Sequence, residues 1–142
     1  GWVEAGYAEY AKRLPRDYAL ELVELKPEPR DRGKPVAQLL AAEALRLRAV
    51  CTGCRVIALD ERGASWTTRE LADRLVRWHD EAATPAFVIG SADGLDDAFK
   101  RDAHDRVALS AMTLPHPLVR VVLAEQIYRA VSLATGHPYH RD

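Results

Sequence analysis

Near the end of the chain, His137-Pro138-Tyr139-His140-Arg141 gathers two imidazoles, a phenol and a guanidinium. An imidazole titrates near neutral pH and can accept a proton. An aromatic ring can stack on or orient a base, and a guanidinium pairs with phosphate. A proton acceptor, a stacking ring and an anion-binding cation therefore stand on one short polar segment, Gly136–Asp142, that is too small to build core. Such a segment is expected to complete an active site and to engage nucleic acid; the plainer alternative is that Tyr139 pins the chain end. His116, held between Pro115 and Pro117, is the other histidine placed at an element boundary.

Gly90-Ser91-Ala92-Asp93-Gly94 is the one glycine-rich loop. It lacks the spacing of a dinucleotide or nucleoside triphosphate motif, and Asp93, Asp96 and Asp97 crowd the start of the next helix, where they would repel phosphate. A ligand with hydroxyls, positive charge and no phosphate, such as an adenosyl sulfonium, meets no such objection. Cys51-Thr52-Gly53-Cys54 has C-x-x-C spacing, and His137 and His140 are three residues apart, but 82 residues separate Cys54 from His137 and no second cysteine pair exists. The cysteines read as small, fairly apolar side chains beside a turn, and no metal site is expected. A redox C-x-x-C would open a helix after a strand, the reverse of the order here. No nucleophile elbow accompanies a Ser-His-Asp set, so hydrolase chemistry finds no support.

The elements that must position these residues follow from periodicity. Trp2, Val3, Gly6, Tyr7, Tyr10 and Leu14 recur at helical spacing until Pro15. Tyr18–Leu25 alternates apolar and acidic residues as a half-buried strand would. Lys26–Pro35 reads as a mobile loop, Val36–Val50 as a helix and Cys54–Asp60 as a buried strand. Thr67 or Thr68 caps a helix running towards Ala82, with Glu70 in its first turn. Pro85–Gly90 is a strand, Asp93-Gly94 a turn, Leu95–Ala103 a short helix and Arg106–Leu109 a further strand. The last helix runs from near Pro117 to Thr135. Its apolar residues point in several directions, so it needs cover on several sides, and a partner subunit is the expected second cover.

Strands alternating with helices predict an α/β fold with a mostly parallel sheet and helices on both faces. Ligands bind such sheets beyond the carboxyl ends of the strands. That brings together three loops: Leu59–Gly63, Gly90–Gly94 and Leu109–Pro115. The chain opens directly in a helix where an α/β domain usually opens with a strand, so a first strand is expected ahead of Gly1. The 142 residues are read as a single domain with one core.

Composition narrows the class further. Hydrophobic residues make up 48% and charged residues 29%, the balance of an ordinary globular domain rather than a disordered or fibrous one. No apolar run approaches the roughly 20 residues of a membrane span, and Gly1–Gly6 carries no signal-peptide pattern. Two cysteines do not make a disulfide scaffold, which favours a reducing, cytoplasmic setting. The 20 basic and 21 acidic residues nearly cancel, yet the arginines cluster locally, as at Lys12-Arg13 with Arg16 and at Arg30, Arg32 and Lys34, and Arg favours bidentate phosphate contact.

Leu114-Pro115-His116-Pro117-Leu118-Val119-Arg120-Val121, then Glu125-Gln126-Ile127-Tyr128-Arg129-Ala130, then His137-Pro138-Tyr139-His140-Arg141 together resemble one family over essentially the whole chain. It is the ribosomal large subunit pseudouridine methyltransferase H family, of the SPOUT class of knotted methyltransferases; Gly6-Tyr7, Tyr10 and Arg13-Leu14-Pro15 extend the likeness to the start. The resemblance implies a homodimer with a deep C-terminal trefoil knot, S-adenosylmethionine as cofactor, and methylation of N3 of a pseudouridine in 23S ribosomal RNA on the assembled ribosome. It carries the cofactor pocket onto Leu59, Gly90, Leu109, Ser110, Ala111, Met112, Thr113 and Leu114, in agreement with the three loops. In that chemistry His140 or His116 would take the proton, Arg120 or Arg141 would steady the anion, and Tyr139 would orient the base; the residues do not choose within either pair. Where family members show Gly-Gly after the strand, this chain has Gly90-Ser91, which tightens the approach to the cofactor. A non-catalytic ribosome-binding or adenosine-sensing module that keeps the pocket is the alternative, and a flavodoxin-like chromophore carrier is a third reading.

Overall fold

A computed structural model describes residues 1–30 and 33–139. In chain order the elements are α1 (Trp2–Ala11), a 3-10 turn (Arg16–Tyr18), α2 (Val36–Val50), β1 (Arg55–Ser65), α3 (Thr68–Asp80), β2 (Pro85–Val88), α4 (Asp97–Asp102), β3 (Asp105–Ala108) and α5 (His116–Thr135). The three strands form a sheet of order β2-β1-β3, parallel throughout.

The first half of β1 is covered on both faces, and its alternation sorts the core. Ile57 and Ala58 are both fully buried but point to opposite sides. Ile57 packs with Leu71, Leu75 and Trp78 of α3 and with Leu123, Ile127 and Val131 of α5. Ala58 packs with Ala44 of α2 and with Leu95 and Phe99 at α4. Helices therefore cover both faces, as an all-parallel sheet requires. α1 lies along α5, and a Cβ at Gly6 would sit 3.1 Å from Val121 Cγ1, so the glycine sets that close approach. The apolar residues all round α5 are explained in part by this double contact with α1 and α3.

Local signals explain the elements that sequence located best. Thr67 caps α3: its side chain accepts the Glu70 N–H at 3.0 Å, and Glu70 Oε1 accepts the Thr67 N–H at 2.9 Å. Gly136, at φ 77°, ends α5 in the left-handed conformation.

Two expectations are corrected. Tyr18–Leu25 is not a strand: after the 3-10 turn the chain runs without helix or ladder through residues 19–30. Alternation describes two faces, but a strand also needs a neighbour, and none of the described strands pairs with this segment. Leu20 still packs on the core, whereas Leu22 and Val23 are exposed.

Leu59–Gly63, in turn, is not a loop after the strand but lies inside β1. Leu59 and Ala64 both align with Val107 of β3, so Asp60–Gly63 leave the ladder as a bulge and the strand then resumes. A Cβ on Gly63 would lie 2.6 Å from the Arg106 carbonyl carbon and the Val107 nitrogen. Gly63→Ala is expected to destabilise the protein by about 1–3 kcal/mol, because backbone must move to admit it; a urea midpoint equal to that of the wild type would remove this role for Gly63.

Candidate active site

Because the strands are parallel, the β1 bulge, the loop after β2 and the loop after β3 lie at the same, carboxyl end of the strands. The bulge and the β3 loop are joined directly. Thr113 Oγ1 donates to Glu61 Oε2 at 2.9 Å, and Ser110 Oγ accepts the Met112 N–H at 2.9 Å. Within the bulge, Asp60 Oδ1 accepts the Arg62 N–H at 3.1 Å, with Lys100 Nζ and Arg106 each 3.9 Å from Oδ2.

Leu59 and Leu109 line one cavity of about 120 Å³ with Trp66, Thr68, Phe87 and Gln126. The other expected cofactor residues are placed beside it rather than in its wall. Ala111, Met112 and Thr113 are exposed, Met112 at 77%, while Ser110 and Leu114 are half-buried. Gly90 follows β2 in a tight turn: the Gly94 N–H donates to Ser91 O at 2.9 Å, and Gly94 has φ 85°. A Cβ on Gly90 would meet the Gly94 carbonyl carbon at 2.5 Å.

The side chains of that turn face α2 and the segment before it. Ser91 Oγ donates to Glu43 Oε1 at 3.1 Å and accepts from Arg30 Nη2 at 3.0 Å. Arg30 also reaches Asp93 Oδ2 at 3.0 Å, Glu43 Oε2 at 2.9 Å and the Glu28 carbonyl at 2.7 Å. Burial alone would raise the Glu43 carboxyl; hydrogen bonds from Arg30, the Glu28 N–H and Ser91 outweigh it and hold Glu43 below the usual carboxylate range. The expected mobile loop is thus anchored at Glu28 and Arg30. Arg30 is not a bare basic patch, and neither is Lys12-Arg13, since both of the latter pair with Glu9.

His116 is the exposed first residue of α5. Arg120, one turn on, lies 3.4 Å from Glu24 Oε1. Tyr139 packs further along the helix: its O–H donates to Glu125 Oε2 at 2.8 Å, its ring centroid is 4.6 Å from that of Tyr128, and the Arg129 guanidinium lies 4.9 Å above the ring. Arg129 itself holds Glu125 at 2.6 Å and 3.0 Å. His116 and Glu125 are nine residues apart on one helix, a rise of roughly 14 Å, so a single chain does not bring His116 and Tyr139 together. His140 and Arg141 lie outside the described residues.

Burial, and then the Glu125 carboxylate, push the Tyr139 hydroxyl up to about 12. Since the folded value is raised, the stability contributed by the Tyr139 hydroxyl is fully present below the unfolded value of about 10 and is lost as pH rises through about 12. Ultraviolet titration of tyrosinate should show a late step that Tyr139→Phe removes; a step that survives the substitution belongs to another tyrosine.

Gln126 was not expected as a site residue. Its Oε1 accepts from Thr68 Oγ1 at 2.8 Å at the cavity wall, and its Nε2 donates to Glu125 Oε1 at 2.8 Å. A hydrogen-bonded path therefore joins the cavity to the docked tail through Thr68, Gln126, Glu125 and Tyr139. Its signal in the sequence is a polar Glu125-Gln126 pair inside an otherwise apolar stretch of helix.

Among the described residues no group of three or more His, Cys, Asp or Glu could hold a metal ion, and no helix is long and apolar enough to cross a membrane. The family model described as "predicted SPOUT methyltransferase" matches residues 1–140. Proteins named ribosomal RNA large subunit methyltransferase H are similar along nearly the whole chain. That of Nitrosospira multiformis is 56% identical over 141 residues, covering 99% of this chain and 90% of its own. That of Bordetella petrii is 53% identical with the same coverage, and that of Cupriavidus metallidurans 49% identical over 144 residues, covering 99% and 91%. With the family model matching residues 1–140 and these relatives about half identical over 99% of its length, the chain belongs to the SPOUT methyltransferase family.

Proposed function

We propose that this protein transfers a methyl group from S-adenosylmethionine to N3 of a pseudouridine in 23S ribosomal RNA on the assembled ribosome. Similarity over 99% of the chain to large subunit methyltransferases H, at about half identity, carries the reading. On it the chain is a single domain over residues 1–142, knotted deeply near its C-terminal end, that works as a homodimer in the cytoplasm with ribosomes.

The donor set at the strand ends fits this cofactor. Apolar Leu59, Phe87 and Leu109 wall the cavity. Asp96 already occupies the start of α4, accepting the Phe99 N–H at 2.9 Å, so no phosphate is invited there. Leu59, Gly90, Leu109, Ser110, Ala111, Met112, Thr113 and Leu114 would hold the cofactor, the last run reading the adenine edge through backbone groups. When bound, S-adenosylmethionine would supply the methyl group from its sulfonium to N3 and would leave as the neutral thioether. The chain's own residues align the base, worth up to roughly 7–11 kcal/mol for well-oriented reactants, and remove the N3 proton. His140 or His116 takes that proton, and Arg120 or Arg141 faces the resulting anion. Tyr139, held on α5 by Glu125, Tyr128 and Arg129, orients the base.

A homodimer is part of this reading, since the apolar residues around α5 need more cover than α1 and α3 give and His116 and Tyr139 lie apart along that helix. Light scattering at low micromolar concentration should report about twice 15.8 kDa; a clean monomer counts against it. The decisive experiment offers methyl-labelled S-adenosylmethionine with intact ribosomes or naked 23S RNA. Label at a pseudouridine N3 in ribosomes, and little in naked RNA, is expected, since a near-neutral surface binds free RNA weakly. Cofactor binding without transfer would make the protein a binding module instead.

A further inference from the structure

We propose that Arg30 and Glu43 are positioning residues for cofactor binding, holding the Gly90–Gly94 turn in its receiving shape through Ser91 and Asp93. The inference rests on the reading above that Gly90 contacts the cofactor. Two glycines in five residues make this turn expensive to order, and a loop ordered before binding spares that loss at the moment of binding. Its two polar side chains are both taken: Arg30 holds Ser91 Oγ at 3.0 Å and Asp93 Oδ2 at 3.0 Å. Glu43, only 12% exposed, accepts from Arg30, from Ser91 Oγ and from the Glu28 N–H. Arg46 then ties Glu28 to the next turn of α2 at 2.9 Å. Ser91 thus directs its hydroxyl into a prepared acceptor, Glu43 Oε1, at 3.1 Å.

A purely structural role makes a different forecast. Arg30 and Asp93 are 36% and 39% exposed, and surface ion pairs contribute little to global stability. Their concentration on one turn makes local shape the property they control.

The test measures S-adenosylmethionine affinity by calorimetry in Arg30→Ala and Glu43→Gln. We expect Kd to rise about tenfold in each, with the melting temperature of Arg30→Ala nearly unchanged and, in ribosome methylation, the loss appearing in KM for the cofactor rather than in kcat. Arg30→Lys should recover only part of the affinity, because an ammonium cannot hold Ser91, Asp93 and Glu43 at once. If the half-buried Glu43 site fails to fold as Gln, Arg30→Ala decides alone. Unchanged Kd in Arg30→Ala alongside weakened binding in Gly90→Ala overturns this inference and leaves the cofactor site standing. Unchanged Kd in Gly90→Ala as well overturns both.

Discussion

On the proposed cofactor site, Gly90→Leu is expected to lower S-adenosylmethionine affinity by more than about a hundredfold. The reason is local. A Cβ at this position lies 2.5 Å from the Gly94 carbonyl carbon and 2.6 Å from its oxygen, so even alanine forces the turn open. Leucine adds bulk that the closed turn cannot admit. The strain falls on a turn beyond the strand rather than on the packing around Ile57 and Trp78, so the fold is expected to survive with a melting temperature lowered by several degrees. Gly94→Ala is the comparison: its Cβ would meet nothing within 4 Å, and only the φ of 85° opposes it, a penalty of about 1 kcal/mol. Calorimetry ranks the two. Wild-type affinity in Gly90→Leu would remove Gly90 from the cofactor site.

The second large effect is expected from deleting Gly136–Asp142. Methylation of ribosomes should fall by roughly 10²–10⁴, the range a positioned acid or base supplies, while cofactor affinity holds. Stability should fall too, because Tyr139 is docked. Its contact with Tyr128 and its hydrogen bond to Glu125 are each worth about 1 kcal/mol. Tyr139→Phe separates the contributions, keeping the ring on Tyr128 and removing only the O–H. Methylation that survives the deletion would pass the proton-acceptor role to His116 and the cation to Arg120.

What the sequence disclosed depended on how far apart the interacting residues lie. Val36–Val50 was legible to the residue because leucine and alanine repeat within it, and Thr67 with Glu70 announced the start of α3. Tyr18–Leu25 failed because its alternation is a local property, whereas a ladder depends on a distant partner. The β1 bulge failed for a related reason: Asp60–Gly63 looks like a turn, and only the backbone of β3 against Gly63 shows that the strand continues. The resemblance pointed to Leu59, Gly90 and Leu109–Leu114; of these, Leu59 and Leu109 line the cavity beside Trp66 and Gln126. The Arg30–Glu43–Ser91 cluster joins residues 13, 48 and 61 positions apart, and no spacing rule encodes it. Docking of Tyr139 was half-legible, since the tail was read as either functional or pinned.

The central position of β1 also governs how the molecule must fold. Ala58 pairs with Val88 on one side, and its neighbour Leu59 with Val107 on the other. Each rung spans 30 residues or more, so no hairpin can seed the sheet. Closing those loops comes before any ladder energy is gained, which places refolding among the slower, millisecond-to-second domains. Until α3 and α5 arrive, Ile57 and its neighbours stand open to other chains. Aggregation during refolding should therefore rise with protein concentration, and should rise faster when α3 loses its Thr67 cap and forms later.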